Sequence, residues 1–297
     1  MTFFRHFLVR GVFWRQFLRW AVLNIPMWLE PTVMAWWSAF FLLWGPGRRG
    51  VMRNLAAIKP RSWSVVNFFR VYRVFWNYAW TITDNVRHRE EGMVPDWEFE
   101  GIEHFEELQS RSSGAIILTA HMGSYDLGAQ LFAAYSTRRI VMVRAPETDP
   151  DTRKFEESQI NDRVQIAFNT APAGTALDLL GALQNGEVIA IQGDRVTEGI
   201  TSLETTLFGR KARVPAGPFA LSMAARAPIY PLFVIRLGRR RYKLLTCPPI
   251  EVVRTSRNRD DDLRRGVEQW SRTLEGTLAA VWYQWFAFDP YFEESAA

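Results

Sequence analysis

The chain has 297 residues, a formal net charge of +5 at pH 7, four histidines and one cysteine. A single cysteine, Cys247, excludes an internal disulfide and fits a reducing compartment, and the histidines (His6, His88, His104 and His121) lie too far apart in sequence for a zinc motif. No stretch is repeated, low in complexity or linker-like. We therefore expect one domain with an N-terminal appendage.

The first 30 residues combine basic and bulky aromatic side chains. Arginines at positions 5, 10, 15 and 19 interleave with Phe and Trp, and the first 19 residues contain no acid. This pattern is typical of a helix that lies in the headgroup region of an anionic membrane. The arginines interrupt any apolar core of a signal peptide, so we do not expect cleavage.

The next segment, "PTVMAWWSAFFLLWGPG", carries no charge over residues 31–47. As a helix it would reach about 25 Å, against a bilayer core of about 30 Å. Three interpretations stay open: a helix buried against the domain, a full span, and monotopic attachment. We favour monotopic attachment, because Pro26, Glu30 and Pro31 interrupt the approach and aromatic residues make up 14% of the chain. Residues 1–47 are thus expected to be membrane-associated, and residues 48–297 to form the main domain.

From residue 48 onward, helical and strand patterns alternate. Two helices are predicted in "RRGVMRNLAAIKP" and "WSVVNFFRVYRVFWNYAWTITDNV", and then strands in "WEFE", "AIILTA", "RRIVMVRAP" and "EVIAIQGDR". Between and after them, helices are predicted in "EELQS", "MGSYDLGAQLFAAYS", "RKFEESQINDRVQIAF", "ALDLLGALQNG" and "GPFALSMAARA", and a hairpin turns at Gly238. This alternation predicts an α/β sandwich with crossover connections.

His121 follows the buried strand "AIILTA", and Asp126 stands five positions later, at the start of the next helix. Two interpretations remain open for this spacing. A carboxylate that orients an imidazole makes a general base for a hydroxyl. Alternatively, Asp126 only stabilises the helix N-terminus. His121 stands at the end of a strand, where reacting groups gather in such sheets, and this position favours the catalytic interpretation.

Several blocks of the sequence, in order, resemble one family. They are "RRGVMRNLAAIKP", "LTAHMGSYD" with an HxxxxD motif, "VMVRAP", "GDRVTEG", "LFGRKARVPAGPFALS", "APIYPLFVIR" and "YQWFAFDPYF". They are similar to those of the bacterial lipid A late acyltransferases, within the HxxxxD lysophospholipid acyltransferase superfamily. The resemblance implies a single-domain αβα sandwich of the glycerolipid acyltransferase type.

The resemblance also implies roles for individual residues. His121 would be the general base, Asp126 its orienting partner, and Glu204 a further acidic residue of the active centre. Other positions would bind substrate near the site: Gly123, Ser124, Arg144, Asp194, Arg195, Arg210 and Lys211. We expect Gly123 to let the backbone approach a substrate closely, and Arg210 and Lys211 to lie in a loop.

The reaction implied is transfer of a fatty acyl group to a lipid hydroxyl on the cytoplasmic face of the inner membrane. The donor would be a thioester of acyl carrier protein or coenzyme A, with no metal and no bound cofactor. "GDRVTEG" replaces the block that binds glycerol phosphate in the glycerolipid enzymes, which argues against that acceptor. A glycolipid, a lysophospholipid, an aminolipid and a specialised acyl product all remain open as acceptor or product.

The sequence also bears on classes of function other than acyl transfer. No GxSxG elbow is present, which disfavours a serine esterase, and Cys247 lacks a basic neighbour, which indicates a structural thiol. The basic residues accompany aromatic ones of membrane type, so we expect no nucleic-acid partner. A non-catalytic lipid-binding protein of the same fold is the alternative of another class. The sequence indicates neither acyl-chain length nor oligomeric state.

Overall fold

A computed structural model describes residues 12–45, 47–60, 63–136, 138–145, 164–168, 172–197 and 199–292. The helices are α1 Val12–Asn24, α2 Glu30–Trp44, α3 Arg48–Ile58, α4 Ser64–Glu91, α5 Ile102–Ser110, α6 Tyr125–Tyr135, α7 Pro172–Gln184, α8 Gly217–Ala225 and α9 Arg259–Val281, followed by a 3-10 turn, Trp282–Gln284. The strands are β1 Asp96–Glu100, β2 Ala115–Thr119, β3 Ile140–Arg144, β4 Val164–Phe168, β5 Val188–Gln192, β6 Ser202–Leu207, β7 Arg210–Pro215, β8 Ile229–Gly238 and β9 Arg241–Thr246.

Seven strands form one sheet in the order β1-β9-β8-β2-β5-β3-β4. The strands from β8 to β4 run parallel to one another, and β9 pairs antiparallel with β8 through the hairpin expected at Gly238. Parallel strands need crossover connections, and among the described residues α6, α7 and α8 lie in three of these connections. The prediction of an α/β fold with a mostly parallel sheet is confirmed.

Helices cover both faces of this sheet. Along β2, Ile116 and Leu118 face a core shared with α7, α8 and α9, whereas Ala115 and Ile117 face a second core shared with α5 and α6. The strand is buried on both sides because alternate side chains of a strand point to opposite faces. The loops that follow β2 and β5 therefore emerge from a rigid frame.

The N-terminal helices form a layer of their own. Helix α4 runs antiparallel to α2, since Glu30 pairs with Arg87 at 2.5 Å and Phe41 stacks on Phe75 at 5.9 Å. One face of α2 is buried, while its other face exposes Trp36, 76% accessible, and Trp44, 63% accessible. Within the described ranges, no helix combines the length and the apolarity that crossing a bilayer requires. The boundary at residue 47 stays a prediction.

Two local predictions are wrong. Residues 164–168, expected at the end of a helix, form β4, because their backbone pairs in parallel with β3 at the edge of the sheet. The rest of that predicted helix, residues 153–163, lies outside the described residues, as do residues 1–11 of the N-terminal segment. Arg210 and Lys211, expected in a loop, open strand β7, because Phe208 and Gly209 both adopt positive φ and close a tight hairpin with β6.

Candidate active site

His121 and Asp194 lie side by side at the carboxyl edge of the sheet. Strands β2 and β5 are parallel neighbours, with Thr119 opposite Gln192. Each chain continues two residues past this pair, so the register itself brings His121 next to Asp194. His121 Nδ1 lies 2.7 Å from Asp194 Oδ1, and the backbone N–H of His121 donates to the same oxygen at 3.1 Å.

Asp194 is fully buried, with an exposed fraction of 0%. Burial by itself would raise the pKa of its carboxyl group. The charge and hydrogen bond of His121, the nearby Arg195 guanidinium and the Trp285 indole N–H act in the opposite direction and hold the pKa of Asp194 well below its usual range. The carboxylate is therefore ionised at neutral pH and can only accept hydrogen bonds.

An acceptor-only carboxylate fixes the tautomer of the imidazole. The proton of neutral His121 resides on Nδ1, and Nε2 carries the lone pair. Within the described part of the chain, no hydrogen bond occupies Nε2, and the His121 side chain is 31% exposed. This arrangement can take a proton from a hydroxyl group that approaches from outside.

The predicted pairing of His121 with Asp126 is not what the structure shows. Asp126 lies in the first turn of α6 and accepts a hydrogen bond of 2.6 Å from Arg144, at the end of β3. Helix α6 leaves the sheet after Ser124, which directs its first turn towards β3 rather than back to β2. The orienting carboxylate at His121 belongs to Asp194, which the sequence had placed near the site without this role.

Gly123 and Ser124 fix the conformation and position of the loop that follows His121. Gly123 has a φ of +54°, and a Cβ there would lie 1.5 Å from the carbonyl oxygen of Val234, so strand β8 requires the glycine. The expectation that Gly123 also gives a substrate room stays a prediction. Ser124 is 1% exposed, and its hydroxyl bonds Asn85 on α4. The hydroxyl thus ties the loop to α4 and does not face solvent.

A segment near the C-terminus completes the site. Trp285 Nε1 donates to Asp194 Oδ2 at 2.9 Å, and the N–H of Phe286 donates to the carbonyl of His121 at 2.8 Å. Arg195 donates to the carbonyl of Phe286 at 2.7 Å and lies 3.8 Å from Asp194. Sequence reasoning did not place Trp285 or Phe286 at the site, although both lie in the block "YQWFAFDPYF" that the family resemblance had singled out.

Glu204, Arg210 and Lys211 lie on the β6–β7 hairpin, a separate two-stranded sheet packed against α9. Glu204 is exposed and pairs with Arg213 across the hairpin at 2.9 Å. Arg210 and Lys211 are exposed at its turn. The structure therefore does not bring these three predicted site residues into contact with the His121–Asp194 pair.

An apolar cavity opens beside the loop, between the sheet and α6. The space between its lining residues, with open solvent at the mouth included, is about 600 Å³. Its floor includes Ile117, Met142, Ala190 and Leu232. Other lining residues are Phe105, Thr119, Tyr125, Gly128, Ala129, Phe132, Ile140, Val143, Arg144, Ile191, Gln192, Val234 and Leu244. Thr119, two residues before His121, and Tyr125, four residues after it, are among these lining residues.

The described residues contain no cluster of His, Cys, Asp or Glu side chains suited to a metal ion.

The family model of the bacterial lipid A biosynthesis acyltransferases matches residues 32–293. No curated protein matches the chain. The resemblance inferred from the motifs is confirmed.

Proposed function

The chain belongs to the bacterial lipid A biosynthesis acyltransferase family, and we propose that it is a membrane-associated O-acyltransferase that uses a thioester donor and a lipid or glycolipid acceptor. The observation that carries this proposal is the His121–Asp194 pair at the edge of the sheet, beside an apolar cavity. The donor would be a fatty acyl thioester of acyl carrier protein or coenzyme A. A lysophospholipid, an aminolipid or another hydroxylated acceptor remains the alternative within this reaction class.

The proposed mechanism needs one base. Asp194 holds the proton of His121 on Nδ1, so Nε2 removes the proton from the acceptor hydroxyl as its oxygen attacks the thioester carbonyl carbon. The tetrahedral intermediate then breaks the C–S bond. The thiolate leaves and recovers the proton from the imidazolium, which restores neutral His121. A thiolate departs readily, so activation of the alcohol is the demanding step.

The apolar cavity is the proposed site of the acyl chain. Its walls are aliphatic and aromatic, and Arg144, paired with Asp126, lies at the carboxyl ends of the strands that line it. A fatty acyl tail gains roughly 0.8 kcal/mol for each CH₂ removed from water. With the tail in this cavity, the thioester carbonyl would lie at the end lined by Thr119 and Tyr125, within reach of His121 Nε2.

We further propose that the N-terminal helical layer contacts the cytoplasmic face of the inner membrane. The exposed aromatic side chains on α2 and at the start of α4 include Trp44 and Phe69, 65% accessible. Arg49 and Arg53 are exposed on the intervening helix α3. Exposed aromatic side chains next to arginines suit an interface of apolar tails and anionic headgroups.

The test uses the full-length protein in vesicles that contain candidate acceptors, with a radiolabelled acyl thioester. Wild type is expected to transfer label to a lipid, and His121→Ala to lose about 10³-fold or more of that rate. His104→Ala is the matched control, because His104 lies on α5 and its ring approaches Glu103 at 3.9 Å, away from the pair. Transfer by His121→Ala at the wild-type rate would refute the base assignment. Binding of the lipid without any transfer would favour the lipid-binding alternative.

A further inference from the structure

We propose that the segment Gln284–Phe286 is a positioning device for the His121–Asp194 pair, with Trp285 as its main residue, and that α3 and α4 hold this segment in place. The inference rests on the proposed function and adds residues that touch neither substrate nor reacting atoms.

The segment Gln284–Phe286 makes hydrogen bonds to both His121 and Asp194. The Trp285 indole occupies Asp194 Oδ2 at 2.9 Å, which leaves Oδ1 to accept both N–H groups of His121. The N–H of Phe286 fixes the carbonyl of His121, and the carbonyl of Gln284 accepts the N–H of Gly123 at 3.2 Å. The loop and the carboxylate are thus oriented by three consecutive residues.

The side chain of Gln284 ties the same segment to the sheet. It is 0% exposed, and its amide both accepts from the N–H of Arg236 at 2.7 Å and donates to the carbonyl of Arg236 at 2.8 Å. A buried amide with both groups satisfied by one residue of β8 admits little movement. The segment therefore has a fixed position relative to strand β8.

From the outer side, α3 holds the residues that follow. Asn54 is 3% exposed, and its Nδ2 donates to the carbonyls of Ala287 and Asp289, each at 2.9 Å. Its Oδ1 accepts the N–H of Tyr291 at 2.8 Å. One asparagine therefore binds three points of the chain that continues from Trp285.

Helix α4 supplies aromatic support. The ring of Tyr78 meets the edges or faces of Phe286 and Phe288 at centroid distances of 5.0 and 4.9 Å. The guanidinium of Arg73 lies 3.7 Å from the ring centroid of Tyr283. The N-terminal helical layer is in this way in physical contact with the segment that orients the catalytic base.

Loss of the indole N–H has a defined chemical effect. In Trp285→Phe, Asp194 Oδ2 loses its donor, so the carboxylate turns more easily and keeps more negative charge towards Nδ1 of His121. The imidazole is then held less firmly with Nε2 towards the acceptor hydroxyl. We expect kcat to fall about 10-fold to 100-fold with KM changed less than about twofold.

The experiment compares Trp285→Phe and Asn54→Ala with two matched controls. Trp97→Phe alters a tryptophan on the edge strand β1, and Asn77→Ala removes a buried asparagine of α4 whose side chain bonds only the backbone of Arg73 among the contacts described. Kinetics are measured on the full chain in vesicles. In parallel, NMR of [¹⁵N]histidine-labelled protein follows the Nδ1 proton of His121, assigned by its loss in His121→Gln.

Both test variants should lower kcat and shift or broaden the Nδ1 proton signal, while both controls leave these readouts at wild-type values. Unchanged kcat and an unchanged Nδ1 signal in Trp285→Phe and Asn54→Ala would overturn the inference. If wild type itself transfers no acyl group, the proposed function fails, and the NMR signal alone still decides whether the segment positions the pair.

Discussion

Asp126 accepts a 2.6 Å hydrogen bond from Arg144, although Asp126 stands only five positions after His121. The two residues of the HxxxxD motif, His121 and Asp126, therefore do not pair with each other. The imidazole of His121 bonds the carboxylate of Asp194, and the carboxylate of Asp126 bonds the guanidinium of Arg144. The two carboxylates therefore carry distinct expected effects when each is neutralised.

Asp194→Asn should cost far more activity than Asp126→Asn. An amide at position 194 can donate a hydrogen bond to Nδ1, which favours the wrong tautomer, and we expect kcat to fall about 10³-fold. Asp126→Asn leaves the imidazole partner intact and should lower kcat at most about 10-fold. Steady-state acyl transfer by the two purified variants decides the matter. A larger loss in Asp126→Asn would show that Asp126 orients His121 in the working enzyme.

Ala190→Leu should shorten the acyl chain that the enzyme prefers. Ala190 lies on β5 in the floor of the apolar cavity, and leucine there occupies space that the end of a long chain would fill. A misfit of a single methylene in an apolar pocket costs roughly 10-fold or more in kcat/KM. We expect the ratio of kcat/KM for a 16-carbon to a 10-carbon donor to fall by about that factor.

The control for this cavity variant is Ala280→Leu. Ala280 is exposed on α9, so the same change in side chain leaves the cavity untouched. An unchanged chain-length profile in Ala190→Leu would place the acyl chain elsewhere.

The sequence allows prediction of the strands that carry the site residues, but not of the contacts between those strands. The strand "AIILTA" and the strand in "EVIAIQGDR" were both predicted from local apolar runs. Their adjacency depends on strand order, which local patterns do not encode, so the contact between His121 and Asp194, 73 residues apart, was missed. The hydrogen bond from Trp285 spans 91 residues and requires the packing of the chain's last described segment. The prediction of Asp126 as the partner assumes that residues close in sequence are also close in space, which does not hold for this pair.

Removal of two exposed aromatic side chains should weaken membrane binding. Trp44 on α2 and Phe69 on α4 are largely exposed, and burial of each in the interface gains roughly 1.5–3 kcal/mol. Trp44→Ser with Phe69→Ser should lower partitioning into anionic vesicles about 10-fold or more in a sedimentation assay. Phe99→Ser, on edge strand β1, is the control. Equal partitioning of all three proteins would assign the membrane contact to other residues.

Cys247 should react slowly with alkylating agents and should be dispensable. Burial, with a smaller contribution from Glu100, raises the pKa of its thiol to about 11. Only the thiolate reacts, so at pH 8 about one molecule in a thousand is reactive, against about one in four for an ordinary thiol of pKa about 8.5.

Alkylation of the folded protein by iodoacetamide should accordingly be about 250-fold slower than that of the unfolded chain. The rate should rise about tenfold per pH unit up to the pKa of the thiol. Cys247→Ser should retain wild-type transfer. Loss of transfer in Cys247→Ser would instead implicate a covalent acyl-enzyme.

Glu30→Gln should destabilise the fold at the junction between the N-terminal helices and the sheet. Glu30 is 2% exposed and accepts from Arg87 at 2.5 Å and from Arg239 of the β8–β9 hairpin. Neutralising it leaves the buried Arg87 without this counter-charge, although Glu91 lies 2.5 Å away on the other side. A broken buried ion pair typically costs about 3 kcal/mol or more.

The control is Glu98→Gln, which breaks an exposed pair with Arg241 and should cost less than about 1 kcal/mol. Urea unfolding of both variants measures the difference, and equal losses of unfolding free energy would show that Glu30 does not join the helices to the hairpin.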